Sequence, residues 1–133
     1  MTNVVAPKPD DFAPQVLLVD DEEYALEEYR ELLELEGIDA AIETNPFAAI
    51  ETAIQHPEIR VVVTDLRMPA LSGSELIQLL LARLPQGRQM RFIVLSGYLE
   101  GVAETPGLPS VRLLEKPVDA NDLAEAVQQA LRD

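Results

Sequence analysis

Residues 60–73 read RVVVTDLRMPALSG, where a run of β-branched apolar residues, Val61 to Val63, ends on an acid, Asp65. A carboxylate at the mouth of a buried strand is costly unless something polar meets it there. Three other short apolar runs also end on polar chemistry: Asp20 and Asp21 follow the first, Ser96 the fourth, and Lys116-Pro117 the fifth. If the runs are parallel strands, these ends converge on one edge, where three carboxylates repel one another unless a cation neutralises them. The chain has no cysteine and its one histidine, His56, lies elsewhere, so the ligand set is all oxygen. Such a set suits Mg²⁺ or Mn²⁺, which keep bound waters and leave room for a phosphoryl group. Lys116 adds a positive charge and Ser96 a hydrogen-bond donor, and metal, lysine and hydroxyl together cover the oxygens of a phosphoryl group in transfer. Asp65, at the centre, is the candidate nucleophile, since a carboxylate can form an acyl phosphate.

The elements that must position these groups follow a β-α rhythm. Gln15–Val19 is apolar, and Glu22–Glu36 has helical spacing with Leu26, Tyr29 and Leu33 on one stripe, closed by Gly37. Asp39–Ile42 is a weaker strand. The helix after it opens with Asn45 as a cap and Pro46 at its first position, and ends at Pro57. Ile59–Thr64 carries the strongest strand signal, and a helix starts at Ser72 or Ser74 and runs to Leu84. Arg91–Leu95 and Val111–Leu114 are the last strands, and Asp119 caps a final helix to Arg132 with Leu123, Val127, Ala130 and Leu131 facing inward. Strands this uniformly apolar are buried on both faces, which implies an α/β fold: one doubly wound, five-stranded parallel sheet. Crossovers are right-handed, so the winding must reverse somewhere, and function sits at the strand carboxyl ends beside that reversal. Between the fourth and fifth strands, GYLEGVAETPGLPS holds three glycines and two prolines, so a fourth helix there is expected to be short or irregular.

The 133 residues fit one domain, large enough to bury roughly two-thirds of its unfolded surface. Residues 1–14, with three prolines and no periodicity, read as a flexible N-terminal arm, leaving 15–133 as the domain. A net charge of −14 makes nucleic acid a poor partner, and no apolar run approaches the roughly 18 residues of a membrane span. No signal peptide is visible, so a cytoplasmic location is expected. Seven glutamates in residues 20–36 read mostly as a solvated helix face.

In their order, LLVDDE, VVTDLRMPALSG, FIVLSG and LLEKP resemble the receiver domain of two-component response regulators, over residues 15–132. The resemblance implies a flavodoxin-like (βα)5 fold with strand order 2-1-3-4-5. It implies that Asp65 is the phosphoacceptor for a sensor histidine kinase or histidine phosphotransfer protein. Asp20 and Asp21 then hold Mg²⁺, helped by Asp65 and the backbone carbonyl of Arg67. Ser96 is the switch hydroxyl, Lys116 pairs with the phosphate, and Lys116-Pro117 is a cis bond. The implied output is a changed surface for a downstream effector.

One departure stands out. Receivers usually carry Tyr or Phe three residues before the lysine, and here that position is Leu113. With the irregular fourth helix on the same surface, phosphorylation is expected to be signalled by ordering residues 98–110. Arg67 and Tyr98 flank the acceptor and are expected to tune acyl-phosphate lifetime. Two other readings stay open: a degenerate receiver acting as a constitutive interaction module, and a Mg²⁺-dependent aspartyl phosphatase. The second usually needs an acid two residues past the nucleophile, where Arg67 stands. Away from the strand ends the readings are plain: His56 solvated, Tyr24 and Tyr29 core or boundary residues, Met68 packing, and Arg60, Arg88 and Arg91 surface charges.

Overall fold

A computed structural model of the chain describes residues 13–97 and 111–133. The elements are β1 (Val16–Val19), α1 (Glu23–Leu35), β2 (Ala40–Glu43), α2 (Pro46–Gln55), β3 (Val61–Asp65), α3 (Gly73–Arg83), β4 (Arg91–Ser96), β5 (Val111–Glu115) and α4 (Ala120–Arg132). All strand pairs are parallel, and the sheet order is β2-β1-β3-β4-β5, as expected. The winding reverses between β1 and β3, which brings the ends of those two strands together.

Consecutive residues of a strand point to opposite faces, and here both faces are covered. Leu17, Val19, Val62, Phe92 and Val94 pack under α2 and α3 with Ile50, Leu76 and Leu80. Val16, Leu18, Val61, Val63, Ile93 and Leu95 pack under α1 and α4 with Leu26, Leu33, Leu123 and Val127. Hence each central strand reads as an unbroken apolar run.

Local signals set the helix ends. The Asn45 side chain accepts from the backbone N–H groups of Phe47 and Ala48, with Pro46 at the first position. Ser72 and Glu75 form a reciprocal capping box, which resolves the choice between Ser72 and Ser74. Asp119 accepts from the amides of Asn121 and Asp122. Gly37 closes α1 at φ 78°, in the left-handed region that suits glycine.

Several expectations change. Tyr24 is 79% exposed, neither core nor boundary. It lies two residues from buried Leu26, more than half a helical turn round the axis. Tyr29 is half-buried and packs against the core beneath α1, as expected of a boundary residue. Arg88 is not a free surface charge: its guanidinium donates to the carbonyls of Ala53, His56 and Ile59 at 2.6, 2.8 and 3.1 Å, closing the C-terminal end of α2. Exposed Arg60 reaches the Leu131 carbonyl at 2.8 Å, while Arg91 is exposed, as read. His56 is half-buried, and Met68 joins the core. Residues 1–12 of the expected arm, and the expected fourth helix, lie outside the described residues.

Candidate functional site

The strand ends meet as anticipated. β1 runs out at Val19, leaving Asp20 almost wholly buried at 1% exposure, with Asp21 beside it in the open. β3 carries one residue further than the pattern suggested, so Asp65 is itself the last strand residue, opposite Leu95 and 8% exposed. Ser96 ends β4 and is buried. The Lys116 amide donates to the Ser96 carbonyl at 2.8 Å, which seats the lysine just past the carboxyl end of β5. The Lys116-Pro117 bond is cis.

One carboxylate oxygen from each of Asp20, Asp21 and Asp65 falls within 4.8 Å of the others. The Lys116 ammonium stands 3.0 Å from Asp65 Oδ1 and 3.7 Å from Asp20 Oδ2. The Glu22 amide donates to Asp20 Oδ1 at 3.0 Å. Three acids against one lysine leave the pocket electron-rich. Burial pushes the Asp20 carboxyl above its ordinary range, and the charge of Asp65 and a hydrogen bond with Asp21 add to this. The Glu22 amide and Lys116 oppose it without cancelling it. For Lys116, burial alone would lower the pKa, but the hydrogen bond and charge of Asp65, with Asp20, outweigh it and hold the ammonium above its usual range.

These donors fit a hard divalent cation. Asp20 Oδ2 is buried and has no hydrogen-bond partner, and a buried carboxylate oxygen left in that state is expensive. It belongs to a cluster of three acids with all-oxygen chemistry, the set that Mg²⁺ or Mn²⁺ takes. Arg67 lies in the loop after β3 with its side chain exposed. Leu113 is half-buried on β5 opposite Val94, packed against the core under α2 and α3. Tyr98 lies outside the described residues.

Two further residues frame the acceptor: Thr64, which the sequence reading passed over, and Gly73, read from sequence only as shaping the loop after Asp65. Thr64 is fully buried, and its hydroxyl donates to the Asp65 carbonyl at 2.9 Å. Gly73, the first residue of α3, lies so close that a Cβ there would be 2.6 Å from the same carbonyl oxygen. For Thr64 a signal was present: it is the one hydroxyl in the otherwise apolar run before Asp65.

Residues 16–128 match the family described as the response regulator receiver domain. The chain belongs to that family. The receiver domain is 34% identical over 119 residues to the transcriptional regulatory protein FixJ of Azorhizobium caulinodans, covering 87% of this chain and 54% of that protein. It is 30% identical over 116 residues to the two-component response regulator PprB of Pseudomonas aeruginosa, covering 86% of this chain and 42% of the other. It thus spans about half or less of the length of these relatives. Among solved structures, it superposes on a response regulator receiver domain from Clostridium thermocellum with a TM-score of 0.76 at 28% identity, over 90% of this chain and 94% of that one. A CheY-like receiver domain from Methylobacillus flagellatus gives 0.74 at 30% identity, over 88% and 98%. Among the described residues, no helix of the receiver domain is long and apolar enough to cross a membrane.

Proposed function

We propose that this receiver domain is a phosphorylation-controlled switch of a two-component system, with Asp65 as its phosphoacceptor. The observation that carries the reading is the contact between Asp65 and Lys116 at 3.0 Å, inside a cluster of three acids whose member Asp20 keeps a buried oxygen without a hydrogen-bond partner. Asp20, Asp21 and Asp65 would hold Mg²⁺ or Mn²⁺, with the Arg67 carbonyl as a further ligand. When bound, the ion offsets the acids' repulsion and stabilises charge on the transferring phosphoryl oxygens.

The chain's own groups do the rest. Lys116 holds the Asp65 carboxylate against rotation and faces the arriving phosphoryl oxygens with a permanent positive charge. An Asp65 oxygen bonds to phosphorus as the bond from phosphorus to the donor's imidazole nitrogen breaks, leaving an acyl phosphate. The Ser96 hydroxyl, at the end of β4, turns toward the new phosphate, and its movement alters the partner-binding surface. The donor is a sensor histidine kinase or histidine phosphotransfer protein. A groove of about 340 Å³ between α1 and α4, lined by Tyr29, Leu32, Leu35, Val118 and Leu123, supports docking of such a donor. The product state is read by a downstream effector, in the cytoplasm.

Leu113 favours one second reading, a receiver that acts as a constitutive interaction module. The test separates the two. Acetyl phosphate with Mg²⁺ is expected to add one phosphoryl mass to the wild-type chain and none to Asp65→Asn, read by intact-mass spectrometry. No mass gain in the wild type would favour the constitutive module.

A further inference from the structure

The geometry points to Thr64 as a positioning residue for the phosphoacceptor, an inference that rests on the reading of Asp65 given above. β1 ends at Val19, opposite Thr64, so no residue of that strand lies opposite Asp65. On the other side the ladder continues one step further, with the Leu66 amide donating to the Leu95 carbonyl at 2.9 Å. The carbonyl of Asp65 belongs to the same peptide unit as that amide and points the opposite way, past the end of β1. A buried carbonyl needs a donor, and the Thr64 hydroxyl meets it at 2.9 Å. From above, α3 presses on the same oxygen through Gly73, where any Cβ would stand 2.6 Å from it and 3.1 Å from the Leu66 Cα. The Gly73 amide in turn donates to the Leu66 carbonyl at 2.8 Å.

The peptide that follows the acceptor is therefore gripped on three sides: by the Leu95 carbonyl, the Thr64 hydroxyl and the start of α3. Its plane sets the course of the backbone from Asp65 to Arg67. Small errors in the placement of a reacting group cost rate steeply. The Thr64 hydroxyl donates to the Asp65 carbonyl, so its effect passes through Asp65. β-Branching alone would suit the strand equally well with valine; the hydroxyl is what valine lacks.

Thr64→Val and Thr64→Ser separate shape from hydrogen bonding. Two measurements apply: the rate of phosphoryl mass gain from acetyl phosphate at saturating Mg²⁺, and amide hydrogen exchange at Leu66 and Gly73 in metal-free protein. Thr64→Val is expected to lose about tenfold or more in rate, with faster exchange at Gly73 and unchanged far-ultraviolet circular dichroism. Thr64→Ser is expected to return both toward wild type. If Thr64→Val matches the wild type in rate and exchange, or if Thr64→Ser falls as far as Thr64→Val, the proposal is overturned. A wild-type chain that gains no mass instead removes the phosphoacceptor reading, and the exchange comparison then decides the clamp by itself.

Discussion

Asp20 concentrates the electrostatic tension of the pocket. It is the most buried of the three acids, one of its oxygens has no hydrogen-bond donor, and burial with the neighbouring charge of Asp65 raises its pKa. A carboxyl whose folded pKa lies above its unfolded value stabilises the fold most when protonated. Its contribution is full below the ordinary value near 3.8 and is lost as pH rises through the elevated folded value. At neutral pH, without metal, the charged form is therefore a liability. Asp20→Asn keeps an oxygen for the Glu22 amide and removes the charge, so urea unfolding of the metal-free variant at pH 7 is expected to show a gain of about 1 kcal/mol. The same variant should lose the stabilisation by Mg²⁺ that is expected of the wild type. A metal-free variant weaker than wild type would contradict this account. The residue types and their order were legible because acid, hydroxyl and lysine each terminate an apolar run. That Asp20 and not Asp21 is the buried member was not legible, since which of two adjacent acids turns inward depends on the strand end and on Lys116, nearly a hundred residues away.

At the scale of elements, α2 is held by a local cap at its start and by a long-range contact at its end, and α3 and α4 also start on local caps. Asn45, Ser72 and Asp119 act within three residues of themselves, so each was visible or nearly so in the sequence. Arg88 acts at a distance of 29 to 35 residues, collecting three carbonyls at the end of α2 and the approach to β3. No periodicity announces such a contact, and a lone arginine between a helix and a strand reads as a surface charge. Burial pulls its pKa down, with Glu58 opposing, but a guanidinium in this range stays charged throughout the accessible pH. Arg88→Met removes the guanidinium from all three carbonyls, of which that of His56 keeps the Ile59 amide at 3.0 Å, while retaining an apolar stem. Unfolding by urea is expected to show a loss of about 1–3 kcal/mol at constant m-value. A change under half that would mean water replaces the guanidinium without cost.

Over the whole molecule, the doubly wound sheet turns four separate sequence segments into one pocket, and a ligand that binds only there must stabilise the entire fold. Raising Mg²⁺ to a hundred times its dissociation constant is expected to add about 2.7 kcal/mol to the unfolding free energy. Thermal melts across a magnesium series would show this, and a flat series would rule out a metal site confined to the folded state. Strand identity, the parallel sheet with a reversal in its winding, and the convergence of Asp20, Asp21, Asp65, Ser96 and Lys116 on one edge were determined by the sequence itself, while the order 2-1-3-4-5 came from the resemblance of its motifs to receivers. Burial on both faces writes unbroken apolar runs, right-handed parallel crossovers force a reversal, and the strand ends share one edge beside it. The tertiary structure alone decided the exposure of Tyr24, the grip of Arg88 and the contact of Thr64 and Gly73 with the Asp65 carbonyl. Those depend on helix phase and on ångström-scale approach between elements far apart in the chain, which residue types and spacing do not encode.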